Sequence, residues 1–286
     1  MVYLLNTNKN FKVYNTLNNF NVDFTNKFDI FIKNIKNINI ISDAAHKTIS
    51  LLSEENVSLD SVEKVISMDP TLTISVIGAA NKALKAKDSS YVATTSSIKQ
   101  AILRLGMVNT MGIVLLNSTL STLPENLRFP LSEHSRLTAV ISKNIAKKTK
   151  MDKDVAYTSG LVHDIGLILF FIFLKNNRMS LVVPNNRFQE KTIFGMTHGE
   201  VGYLYLTSSH FNQEICSIIK AHHDNVLDLS KNALVIRLAD MLANLNGITL
   251  EKQDSEKDID SVVQLLGLKQ VEVIELLKNA LEEIKK

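Results

Sequence analysis

The chain has one cysteine, Cys216, in 286 residues, which excludes an internal disulfide framework. Its setting, Glu214-Ile215-Cys216-Ser217-Ile218-Ile219, reads as a helix face with a buried, inert thiol, and it fits a reducing compartment. Proline and glycine are scarce, at 4 and 10 residues, so the composition is that of a globular chain rich in helix formers. Charge of one sign is never concentrated: 32 basic and 29 acidic residues give +3 with no Lys/Arg block to track a phosphate backbone, and nucleic-acid binding is not expected. Long apolar runs are missing too. The longest, Ile165 to Leu174, is about half of the ~20 residues that cross a bilayer. Met1-Val2-Tyr3-Leu4-Leu5-Asn6 lacks the basic region and sustained apolar stretch of a secretory signal, so a cytoplasmic protein without membrane contact is expected.

What is present is helical periodicity. Alternating strand patterns and fixed-period repeats are not found, and the expected class is all-α, as two small helical lobes. Residues 1–36 form an asparagine-rich segment, as in Asn15-Thr16-Leu17-Asn18-Asn19-Phe20-Asn21, expected to pack loosely until Phe28, Ile30, Phe31 and Ile35 begin a helix. An N-terminal lobe spans 37–125. Its helices are signalled by Ser58-Leu59-Asp60, by Asp69-Pro70 and by Ser96-Ser97, with Gly106 ending the last. The stretch Pro124 to Pro130 is the expected linker. A second lobe spans 126–246 and a helical C-terminal extension spans 247–286, which by default packs on the core.

Five of the seven histidines and two aspartates form an ordered series: His134, His163-Asp164, His198, His222-His223 and Asp240. Imidazole with carboxylate is the donor set of a first-row transition ion. His46 and His210 stand outside it. His134 shares a stripe with Leu137, Thr138, Ile141 and Ile145, so it points inward. His163-Asp164, at a helix end before Gly166, can offer two ligands to one cation, because the chain turns there. Asp164 could instead cap the next helix, with His163 an interior hydrogen-bonded residue. His198 opens a helix whose inward face continues through Val201, Gly202 and Tyr205. His222-His223 closes another, where an imidazolium would suit the helix dipole. Asp240 lies among apolar neighbours, where a carboxylate needs a cation, either a metal or Arg237.

The series resembles the HD superfamily of metal-dependent phosphohydrolases. His134, His163, Asp164 and Asp240 match its minimal quartet, and His198, His222 and His223 match the extra histidines of the HD-GYP branch, which hold a second metal. A closer resemblance is to the HDOD family, the HD-related output domains of bacterial signalling proteins. It is carried by Ile66-Ser67-Met68-Asp69-Pro70-Thr71-Leu72, Ala79-Ala80-Asn81, Ser97 to Gly106, His134-Ser135, Gly160 to Gly166, His198 to Gly202 and Ile219 to His223. It spans about residues 40 to 245.

The chain departs from the HD-GYP pattern at Leu167, where that branch has lysine, and it lacks the Gly-Tyr-Pro motif. Lys99, Arg104 or Lys220 could replace the missing cation. The resemblance implies a signalling or regulatory module acting through a protein partner or a ligand such as a nucleotide, without catalysis. It implies one or two divalent transition ions (Fe, Mn, Zn or Ni) held by the seven residues. The alternative is a metal-dependent phosphohydrolase or phosphodiesterase acting on a nucleotide or cyclic dinucleotide, with Asp164 bridging the ions.

Overall fold

The computed structural model describes residues 22–35, 40–85, 94–179, 184, 186–246 and 256–285. The asparagine-rich motif at 15–21 lies outside these. Every regular element among the described residues is helical.

Helix α1 (Val22–Lys33) precedes α2 (Asp43–Leu52), α3 (Leu59–Ser67), α4 (Pro70–Lys85), α5 (Ile98–Leu105) and α6 (Met107–Leu120). Two of the three expected helix starts are capped by a side chain, while Ser58 sits at the N-cap of α3 without a side-chain capping bond. Asp69 Oδ1 accepts from the Thr71 and Leu72 amides, and Ser97 Oγ from the Gln100 amide. Gly106 ends α5 at φ 82°, a conformation that only glycine adopts without strain. Apolar stripes then bury Val62, Ile66, Leu72, Val76, Ala101 and Ile102 in one core.

The second half runs α7 (Glu125–Thr149), α8 (Lys153–Val162), α9 (Ile165–Asn176), α10 (Arg187–Phe194), α11 (His198–Ser208), α12 (Gln213–Ala221), a 3-10 turn (Val226–Asp228) and α13 (Lys231–Leu245). After it come α14 (Glu256–Leu265) and α15 (Gln270–Lys285). Helix α9 is apolar all round, and all of Ile165 to Leu174 is buried, as expected of a helix at the centre of a large core. Lys153–Asn176 is long and apolar enough to cross a bilayer, but 94% of that window is buried inside the protein. Helices α8 and α13 pack along α7. The C-terminal α15 also docks on α7, with ion pairs Lys143–Glu283 and Lys148–Glu272, both at 2.7 Å.

Two expectations are corrected. Pro124 to Pro130 is not a linker: Pro124 sits at the N-cap of α7 and Pro130 lies inside it. At the N-cap proline forfeits no intrahelical bond, whereas Pro130, past the first turn, removes the bond to the carbonyl of residue 126 and is carried by the rest of the long helix. The segment before residue 36 is also not loosely packed over its described part. The helix begins at Val22, and Phe24, Phe28 and Phe31 are buried against Phe173, while Ile30 is exposed. The helix expected from Phe28 and Phe31 starts earlier, at Val22, and takes in Phe24 at four-residue spacing from Phe28.

Candidate metal centre

Six helices or their ends converge on one point. His134 comes from the middle of α7, His163 and Asp164 from the junction of α8 and α9, and His198 from the first turn of α11. His222 and His223 close α12, and Asp240 lies within α13. His163, His198 and His222 are fully buried, and His134 and Asp240 are nearly so.

Close backbone approach brings the segments together. A Cβ on Gly166 would stand 1.8 Å from the His198 carbonyl oxygen, and one on Gly199 2.9 Å from the carbonyl oxygens of Ile219 and Lys220. These glycines let the start of α11 lie directly on the start of α9 and the end of α12. Gly166 thus serves close contact, beyond the turn expected of it after His163-Asp164.

The ligand atoms form two groups, His134 with His163 and Asp240, and Asp164 with His198, His222 and His223, each with its atoms within 4.8 Å of one another. Asp164 faces both. Its Oδ2 is 3.2 Å from His163 Nε2 and 3.6 Å from His134 Nε2, while its Oδ1 is 3.6 Å from His198 Nε2. It sits at the N-cap of α9 but its side chain makes no capping bond, so the capping alternative is excluded. Asp240 Oδ1 lies 3.1 Å from His134 Nε2 and 3.6 Å from His163 Nε2, and accepts from Asn244 Nδ2 at 3.1 Å.

The rings are aimed from behind. His163 Nδ1–H donates to the Gly160 carbonyl at 2.9 Å and His222 Nδ1–H to the Ile219 carbonyl at 2.6 Å. His198 Nδ1–H donates to Glu190 Oε1 at 2.6 Å, and the His198 amide to Glu190 Oε2 at 2.9 Å. With the proton on Nδ1, each ring presents an Nε2 lone pair to the centre. His198 and His222 Nε2 are 3.2 Å apart, and His134 and His163 Nε2 are 3.1 Å apart. The facing lone pairs of His198 and His222 repel at this distance unless a positive species lies near both. Two nitrogens at ~2.0–2.1 Å from one ion would stand roughly 3–3.4 Å apart, so the donor set and spacing fit a first-row transition ion.

Burial opposes a charge on His163, yet Asp164 and Asp240 raise its imidazole well above the ordinary value, so a proton can neutralise that side. On the other side burial, reinforced by His198 and His163, pushes His222 down to about 3. Burial and its histidine neighbours also press His223 well below the ordinary value. The favourable C-terminal imidazolium considered for His222-His223 therefore does not form: desolvation outweighs the helix dipole. Asp164 and Asp240 resist the upward push of burial because the histidines hold their carboxyls low.

Three residues at this centre were not legible as such. Glu190 is fully buried on α10, and the Asn186 N-cap that starts its short helix gives no hint of it. Arg187, on the same helix, donates to the His223 carbonyl and pairs with Asp224 at 2.8 Å. Arg237, one of the two partners considered for Asp240, has a guanidinium nitrogen against His223 Nδ1. Lys99 pairs with Asp60 and Glu63, Lys220 lies over the Tyr203 ring, and Leu167 is wholly in the core. His46 and His210 take no part in either ligand group.

The fold is shared with solved bacterial proteins. A "Putative metal-dependent phosphohydrolase" from Shewanella amazonensis SB2B superposes with a TM-score of 0.63 at 15% identity, covering 90% of this chain and 96% of that one. A "Putative signal transduction protein" from Marinobacter aquaeolei VT8 gives 0.60 at 16%, over 93% of this chain and 66% of that one. An HDOD domain protein with unknown function from Geobacter sulfurreducens gives 0.58 at 23%, over 92% and 90%. Among curated proteins none matches. The family model for the HDOD domain matches residues 38–225, most of the chain, and the protein belongs to the HDOD domain family.

Proposed function

We propose that this protein is a cytoplasmic signal-transduction module built around a divalent transition-metal centre, which binds a phosphate-bearing ligand such as a nucleotide without turnover and relays its occupancy to a protein partner. The observation that carries it is the pair of Nε2 lone pairs of His198 and His222, 3.2 Å apart in a fully buried site where burial keeps His222 from holding a proton. A site of this kind is costly to maintain without a cation. His134, His163 and Asp240 would hold one ion, His198 and His222 a second, and Asp164, with one oxygen toward each ligand group, would serve both. Signalling is supported by HDOD membership. Absence of turnover is supported by Leu167, whose buried aliphatic side chain stands where the HD-GYP branch carries a phosphate-facing lysine. The buried thiol of Cys216 fits the reducing cytoplasm.

The second reading, a phosphohydrolase, is favoured by the placement of Asp164 between the two ligand groups. A bound metal would there lower the pKa of water and stabilise charge developing on phosphate oxygens. In that reading Asp164 spans the pair and Glu190 keeps His198 aimed.

Metal content of untagged, anaerobically purified protein, wild type against Asp164→Ala, tests both. Near-stoichiometric metal in the wild type that is lost in the variant is expected, with binding but no turnover of phosphomonoesters, phosphodiesters and cyclic dinucleotides. Turnover abolished by Asp164→Ala would favour the second reading, and protein that takes up no metal under any loading condition removes both.

A further inference from the structure

We infer that His223 is not a ligand of the centre but a fixed hydrogen-bond donor, its tautomer set by Arg237, that recognises an oxygen of a bound phosphate group. This rests on the metal-centre reading above and adds to it the residue that meets the ligand. By distance alone His223 belongs with Asp164, His198 and His222, since its nitrogen lies within the same 4.8 Å group. Its hydrogen bonding says otherwise.

The other rings whose rear contacts are visible have Nδ1 against an acceptor: a backbone carbonyl for His163 and His222, a carboxylate for His198. His223 Nδ1 faces a guanidinium nitrogen of Arg237. A guanidinium carries donors and no acceptor. Nδ1 of His223 must therefore be the lone-pair nitrogen, and the proton of the neutral ring sits on Nε2. A protonated nitrogen has no lone pair to give a cation, and the positive charge behind the ring lowers its basicity further. Glu190 behind His198 does the reverse.

The Nε2–H is directed inward with its nearest carboxylate oxygen, Asp240 Oδ2, 3.8 Å away, beyond hydrogen-bond reach. It is a donor waiting for an acceptor. Two arginines from different helices fix it: Arg237 through the ring, and Arg187 through the His223 carbonyl and Asp224. A neutral donor held in place beside positive charge suits an oxyanion that approaches the ions, and phosphate is the class that also suits the metals. These two arginines supply positive charge near the centre, where Leu167 supplies none.

The test reads tautomers directly, by long-range proton–nitrogen NMR of histidine side chains in uniformly 15N-labelled protein, metal-free and zinc-loaded, with His223→Gln for assignment. His223 is expected to show Nε2–H in both states while His198 and His222 show Nδ1–H. In zinc-loaded protein His223→Gln should keep zinc affinity to within about threefold but weaken inorganic phosphate binding about tenfold or more, whereas His222→Gln should lower zinc affinity about a hundredfold or more. A Nδ1–H tautomer at His223, zinc loss in His223→Gln comparable to that in His222→Gln, or phosphate binding that ignores the substitution each overturns the inference. If wild-type protein takes up neither zinc nor any other divalent transition ion, the metal-centre reading fails on that result, while the metal-free spectrum still decides the tautomer of His223.

Discussion

Glu190 holds His198 with both carboxylate oxygens, one on the ring Nδ1–H at 2.6 Å and one on the backbone amide at 2.9 Å. The pair ties α10 to the first turn of α11, fixes the tautomer and orientation of the ring, and makes its Nε2 more basic. Glu190→Gln preserves size but replaces one accepting oxygen with a donor, which the His198 ring or amide then faces. Zinc affinity, measured by competition with a chromogenic chelator, should fall about 10–100-fold. The far-UV circular dichroism spectrum should be unchanged.

Gly166 sits where α9 and α11 touch. Its Cβ would lie 1.8 Å from the His198 carbonyl oxygen, and the obstruction is backbone on both sides, so no side chain can swing away. Gly166→Ala should cost about 3 kcal/mol or more, at the upper end of overpacking changes, read from urea unfolding midpoints. Separation of the helices should also move His198 away from Asp164 and weaken metal uptake in the same variant.

Acid should destabilise the metal-free protein earlier than carboxylates alone would allow. His222 has a folded value of about 3 against an ordinary 6.5, so the unfolded chain binds more protons between those values and stability falls as pH falls through that window. The slope from this one group is at most about 1.4 kcal/mol per pH unit. Asp164 and Asp240, held low, act in the same direction at more acid pH. His163 works oppositely: its raised value contributes stability below 6.5, which is lost as pH rises through the folded value. Urea midpoints of metal-free protein at about pH 6.5 and about pH 5 should differ more for wild type than for His222→Gln.

Phe28 joins the N-terminal helix to the body. Its ring lies 5.0 Å from that of Phe173 and 5.1 Å from that of Phe194, the residue that ends the helix carrying Glu190. Phe28→Ala should lower stability by about 3–5 kcal/mol, measured by urea unfolding. Amide hydrogen exchange should rise in α1 and α10 before it rises in α7.

Hydrophobic periodicity makes α2 to α5, α7 to α9 and α11 to α13 legible in the sequence, but not the short α10 that carries Glu190, and histidine order alone singles out the residues that gather in space. Both depend on local rules: a helix stripe is written at three- and four-residue spacing, and imidazole is rare enough that a series of them stands out. Periodicity carries no record of which stripe meets which. Thus Phe24 escapes notice among the surrounding asparagines, and Pro130 looks like a break although α7 runs through it.

The sequence by itself determined an all-α chain, an inward-facing His134, a single buried thiol and a histidine-aspartate series of HDOD type. Only the tertiary structure decided that Asp164 turns toward the histidines instead of capping α9, that Gly166 serves contact, that Glu190 stands behind His198, and that Arg237 stands behind His223. These are pairings between residues 8 to 34 positions apart or across helix junctions. Direction of a lone pair or a proton is set by the partner on the far side of a ring, and that partner exists only once the helices have packed.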